Sequence, residues 1–164
     1  MPYTLAGGQC SLARFDRMKD KNHEYCNGKN KPDRRYGPFY GSCCASFVAE
    51  VFNYKKSNGE PETAYCPTLF SRASSYNATK IDVIKFNDIK AGDAIFSKQH
   101  VVWVYYINHE TREIGIYEQT PPKAVKQSIR KIDSYSRYKI SNGFFTYDGG
   151  EYTKAVRLNI FNSN

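Results

Sequence analysis

One change of apolar period, at Gly92, constrains the fold of this chain more than any other feature. Before it, Cys44, Phe47, Val48, Val51 and Phe52 recur at i, i+3, i+4, i+7 and i+8, the one-sided stripe of an amphipathic helix. Ser42 suits the N-cap, and Asn58-Gly59 with Pro61 beyond predicts that the pattern ends after Tyr54. After Gly92 the period is two. Residues 93–97, 100–107, 113–119 and 125–132 read as strands rich in Val, Ile and Tyr. A late pair, 144–147 and 155–161, flanks the Asp148-Gly149-Gly150 turn. Helices first and a meander of strands afterwards predict an α+β domain, with N-terminal helices packed on an antiparallel sheet.

The chain has 164 residues, room for one ordinary domain with a short extension. The first forty residues are polar and turn-prone, with one short helix expected over 11–19, and a second, weaker helix is expected around 67–75. We place an N-terminal extension over 1–35 and the domain proper over 36–164. Hydrophobic residues at 40% allow a sizeable core. Aromatics reach 15%, with 14 Tyr and 10 Phe, which suits a strand-rich domain with a wet binding surface.

A net charge of +8 suggests an anionic partner. The basic residues are scattered, however, and the densest pairs, Arg34-Arg35 and Arg130-Lys131, are not a nucleic-acid arm. No nucleic-acid partner is expected. No run approaches the roughly 20 apolar residues that span a bilayer, so no membrane span is expected either. Cys10, Cys26, Cys43, Cys44 and Cys66 form no C-x-x-C pair. Up to two bridges with one leftover thiol would fit an exported enzyme, and five thiols a cytosolic one.

Phosphate loops, H-E-x-x-H and acidic calcium loops do not occur in the sequence. One constellation stands out. Cys44 falls in the first turn of the expected helix, where unpaired N–H groups and the macrodipole favour a thiolate. The competing reading makes Cys44 simply the first core residue of the stripe. His100 opens the strand expected over 100–107 and is placed to serve as base, whereas His23 lies in the polar N-terminal segment and His109 at a hairpin tip with a solvated role. If 108–112 is a five-residue loop, Ile107 faces Glu113, Val104 faces Ile116 and Val102 faces Glu118. His100 then shares a face with Glu118, and Gln119 points the other way.

Gly41-Ser42-Cys43-Cys44-Ala45-Ser46-Phe47-Val48 resembles the D-C-S-x-F-V helix start of the NlpC/p60 cysteine peptidases. Ala91-Gly92-Asp93-Ala94-Ile95-Phe96 resembles their P-G-D-hydrophobic strand, and His100-Val101-Val102-Trp103-Val104-Tyr105 their H-V-x-I-Y strand. Glu118-Gln119-Thr120-Pro121-Pro122 resembles the segment with the third polar residue, where the related CHAP amidases also use an acid. The resemblance spans residues 36–122. It departs from the family pattern at Cys43, where Asp is usual, and at Ala45, where a hydroxyl residue is usual.

The resemblance implies a papain-like fold and a monomeric cysteine hydrolase, extracellular or in the cell wall, that cleaves an amide of peptidoglycan. The scissile bond lies within the stem peptide or at the muramoyl link. Cys44 is the implied nucleophile, His100 the base and Glu118 the orienting residue, with Gln119 left open for the third position. Tyr36 or Tyr40, Trp103 and Gln119 are the expected substrate contacts, and no metal or organic cofactor is implied. The alternative is a basic cell-wall or polyanion-binding module in which Cys44 and His100 are structural.

Overall fold

The structure, a computed structural model, describes residues 44–55, 66–119, 126–133 and 137–161. The expected extension over 1–35, its helix at 11–19, the Ser42 cap and Cys10, Cys26 and Cys43 lie outside the described residues. The chain divides into two compact units, residues 1–65 with 119–126 and residues 66–118 with 127–164. Helices and mostly antiparallel strands make the protein α+β. No helix among the described residues is long and apolar enough to cross a membrane.

In the first unit, helix α1 (Cys44–Val51) buries Cys44, Ala45, Ser46, Val48 and Ala49. The buried face is shifted from the expected stripe: Phe47 and Val51 are only half-buried, and the small residues Ala45, Ser46 and Ala49, which periodicity alone does not flag, are buried beside Cys44, Val48 and Phe52. The helix stops three residues before Tyr54. Asn53 adopts a left-handed φ of 52°, its N–H donates to the Glu50 carbonyl, and the Tyr54 N–H reaches back to the Ala49 carbonyl at 2.7 Å. These two bonds form a Schellman stop with Asn in the position that glycine usually takes. The terminator is thus Asn53, well before Asn58-Gly59.

The second unit opens with a short helix α2 (Cys66–Ser71), followed by a 3-10 turn over Ala73–Tyr76. Its strands are β1 (Ala78–Ile81), β2 (Ala94–Phe96), β3 (Val101–Asn108), β4 (Glu113–Glu118) and β5 (Lys126–Lys131), then β6 (Tyr138–Ser141), β7 (Phe144–Tyr147), β8 (Gly150–Tyr152) and β9 (Lys154–Leu158). Six of them form one sheet in the order β1-β9-β2-β3-β4-β5, and β6-β7-β8 form a second.

The long apolar runs are explained by burial on both faces of the large sheet. Ile95, Val102, Val104, Ile116 and Ala155 share one face and join Tyr138, Phe145 and Tyr152 of the small sheet in a single apolar cluster. On the other face Ala94, Phe96, Val101 and Val156 are buried, and the Phe70 ring of α2 meets Phe96 edge-on at 5.6 Å.

Two expectations for the C-terminal strands are corrected. Residues 144–147 and 155–161 do not pair across Asp148-Gly149-Gly150. Instead Asp148 (φ 50°) and Gly149 (φ 78°) form a two-residue turn from β7 into the short β8. Strand β9 lies between β1 and β2 of the large sheet and gives way to a 3-10 turn at Asn159. Asn142 (φ 53°) and Gly143 (φ 81°) make a matching turn between β6 and β7.

Candidate functional site

The second unit brings His100 and Glu118 together. His100 sits at the end of the tight β2–β3 connection, whose tip is Lys98-Gln99. The Ser97 N–H donates to the His100 carbonyl at 2.9 Å, and the His100 N–H donates to Ser97 Oγ at 3.1 Å. The backbone of the histidine is thereby held on both sides. Its ring Nε2 lies 3.2 Å from Glu118 Oε2, with the His100 side chain 20% exposed and the Glu118 side chain 1% exposed. An imidazole with a wet edge against a buried carboxylate is a polarised pair.

Glu118 is the last residue of β4 and lies on the same face as Ile114 and Ile116. Its other oxygen, Oε1, accepts a hydrogen bond from the Tyr147 hydroxyl at 2.7 Å. Tyr147 comes from β7 of the small sheet and stacks on its cross-strand neighbour Tyr138, with ring centroids 4.5 Å apart and planes 13° from parallel. Burial, reinforced by the Glu118 hydrogen bond, pushes the Tyr147 phenol well above its ordinary value, so it remains a donor. Sequence reasoning missed Tyr147. The alternation of Phe145 and Tyr147 marks an inward face, but nothing local connects that face with residue 118.

The Gly92-Asp93 segment fixes the start of β2. Asp93 is fully buried and takes Arg157 Nε at 2.6 Å on Oδ1 and Arg157 Nη2 at 2.7 Å on Oδ2. The Lys90 N–H adds a bond to Oδ2 at 2.8 Å. The hydrogen bonds that Arg157 donates to Asp93 raise its guanidinium further above its already high value, so it stays charged. The Asp of this motif is therefore a structural clamp.

Cys44 lies in the first unit, as the first described residue of α1, and is buried. Gln119 is also buried and belongs to the same unit as Cys44. Trp103 stands on the opposite face of β3 from Val102 and Val104. Its indole N–H donates to the Gly92 carbonyl, and its ring stacks on Tyr117 at 5.7 Å. The structure does not bring Trp103 to the His100–Glu118 pair. Tyr36 and Tyr40 lie outside the described residues. His109 is more than a solvated tip residue: its Nε2 lies 3.0 Å from the Ile89 carbonyl and its ring packs edge-on against Phe86. Among the described residues no group of three His, Cys, Asp or Glu side chains is arranged to hold a metal ion.

No family model matches the chain, and neither the curated proteins nor the solved structures contain a match.

Proposed function

We propose that this protein is a papain-like cysteine hydrolase that cleaves an amide bond of peptidoglycan, within the stem peptide or at the muramoyl link, and acts at the cell wall. The single observation that carries the reading is the hydrogen bond between His100 Nε2 and the buried Glu118 carboxylate. An ionised carboxylate only accepts, so it fixes the ring proton on Nε2 and makes Nδ1 the basic nitrogen. It also stabilises the imidazolium that forms when that nitrogen takes a proton. Such an orienting pair is what a thiol nucleophile needs from its base.

In the proposed reaction, His100 accepts the Cys44 thiol proton and the thiolate attacks the amide carbonyl carbon. The resulting oxyanion is held in part by the Cys44 backbone N–H. Collapse of the tetrahedral species breaks the C–N bond, and the His100 imidazolium delivers its proton to the departing amine. Water, deprotonated by His100, then attacks the thioester. The products are a carboxylic acid and the regenerated thiol.

The test is incubation of the protein with purified peptidoglycan fragments, followed by mass spectrometry. The proposal predicts one new amine and one new carboxylate per cut, formed equally well in EDTA and abolished by thiol alkylation. Cleavage that survives complete alkylation, or that the chelator removes, would contradict it. Absence of any cleavage product would favour the binding module.

A further inference from the structure

We infer that Tyr147 is a positioning residue for His100, acting through Glu118, so that the small β6–β7–β8 sheet is part of the device that sets the imidazole. The inference goes beyond the reading above and rests on it only where turnover is measured. Its geometry lies entirely within the second unit.

A carboxylate that holds an imidazole by one oxygen retains freedom to rotate about its own terminal torsion, which is a broad, soft coordinate. Glu118 is denied that freedom. Oε1 is engaged by the Tyr147 hydroxyl at 2.7 Å while Oε2 faces His100 Nε2 at 3.2 Å, so each of the two bonds fixes the plane in which the other is made. The tyrosine is in turn fixed. It is 8% exposed, stacked on Tyr138, and in a strand register that pairs Tyr138 with Tyr147 and Tyr147 with Gly150.

Removing the donor has two consequences. Glu118 Oε1, buried with its residue at 1% exposure, loses a hydrogen bond that no bulk water replaces. The carboxylate plane also loses one of the bonds that set it, and the preference for the Nε2–H tautomer of His100 weakens with it. A phenol that merely filled space would produce neither effect, since Phe retains the ring and the Tyr138 stack.

The experiment is nitrogen-15 NMR of the histidine rings in the full chain, comparing wild type with Tyr147→Phe, alongside turnover on peptidoglycan fragments. Wild type is expected to show His100 as the neutral Nε2–H tautomer, with a clear shift toward the Nδ1–H form in the variant. Turnover should fall roughly tenfold with the Michaelis constant nearly unchanged, the size usual for loss of a group that orients a functional side chain. In a Glu118→Ala background, Tyr147→Phe should add little further loss, because its route to His100 is already cut.

An unchanged His100 tautomer in a folded Tyr147→Phe protein would overturn the inference, as would additive losses in the double variant. Should the Phe variant not fold, the Tyr147 hydroxyl proton of wild type decides: a hydrogen-bonded signal protected from exchange that shifts as His100 titrates supports the inference, and one that exchanges freely or is indifferent to His100 overturns it. Because the tautomer is read without substrate, failure of the hydrolase reading leaves this outcome distinct.

Discussion

Arg157 grips Asp93 with two nitrogens, Nε at 2.6 Å and Nη2 at 2.7 Å, and so ties the start of β2 to β9 across 64 residues of sequence. The pair is largely buried, with side chains 12% and 0% exposed, and Arg157 Nη2 also reaches the Asp88 carbonyl at 3.0 Å. Removing one partner strands the other charge. Asp93→Ala should therefore cost about 3–5 kcal/mol, and a paired replacement of both residues by apolar ones much less. Urea unfolding checks this. A loss below about 1 kcal/mol for Asp93→Ala would show the clamp to be ornamental.

Gly115 is predicted to resist even a methyl group. A Cβ there would stand 2.8 Å from Tyr105 Cζ and 2.9 Å from Tyr106 Cβ, beside the β-bulge between Val104 and Tyr106. Contacts that short must be relieved by displacing a ring or the strand. Overpacking of this kind costs about 1–3 kcal/mol. Thermal melting of Gly115→Ala should show a corresponding drop in Tm, and an unchanged Tm would mean that Tyr105 moves freely.

Alkaline stability should carry the signature of Tyr147. Burial first, then the Glu118 hydrogen bond, raise its phenol above the ordinary value of about 10. The folded value exceeds the unfolded one, so this contribution is full below about pH 10 and is lost as pH rises past the unfolded value. Relative to Tyr147→Phe, wild type should lose about 1.4 kcal/mol of stability for each pH unit above about 10. Parallel denaturation curves across that range for the two proteins would refute the assignment.

Substitutions at the third position of the proposed triad separate charge from geometry. Glu118→Gln keeps an acceptor and loses the charge, so weak turnover should remain. Glu118→Ala should retain less, in the range of 10–100-fold below wild type. Gln119→Ala should stay near wild type. Steady-state kinetics of the three variants on peptidoglycan fragments would decide, and a severe loss in Gln119→Ala beside an active Glu118→Ala would move the third position by one residue.

Much of the second unit was legible in the sequence because runs rich in Val, Ile and Tyr, bounded by turn residues, mark strands even where both faces are buried. The pairing of Val104 with Ile116 is as the five-residue loop predicts, yet that loop is not what forms. Asn108 pairs with Glu113, one step out of the expected register, and a bulge between Val104 and Tyr106 restores it. Two offsets of opposite sense therefore leave His100 and Glu118 on one face, and no sequence pattern announces such a cancellation.

Other elements were hidden for separate reasons. Strand β1 is an edge strand whose Thr79 and Lys80 face solvent, so its apolar signal is faint. Strand β6 had a usable mark in Asn142-Gly143, the dipeptide suited to a tight hairpin turn. The partners of β9 and the bond from Tyr147 to Glu118 depend on contacts distant in sequence, which local propensity does not encode.

The central claim, that Cys44 and His100 work as nucleophile and base, is tested most directly by the alkylation rate of Cys44. Limiting iodoacetamide and peptide mapping should be applied to wild type and His100→Ala at several pH values around neutrality. The account predicts that Cys44 is labelled first among the five cysteines and that loss of His100 slows its labelling at neutral pH by roughly tenfold or more. Preferential label on Cys43, or a Cys44 rate indifferent to His100, would contradict it.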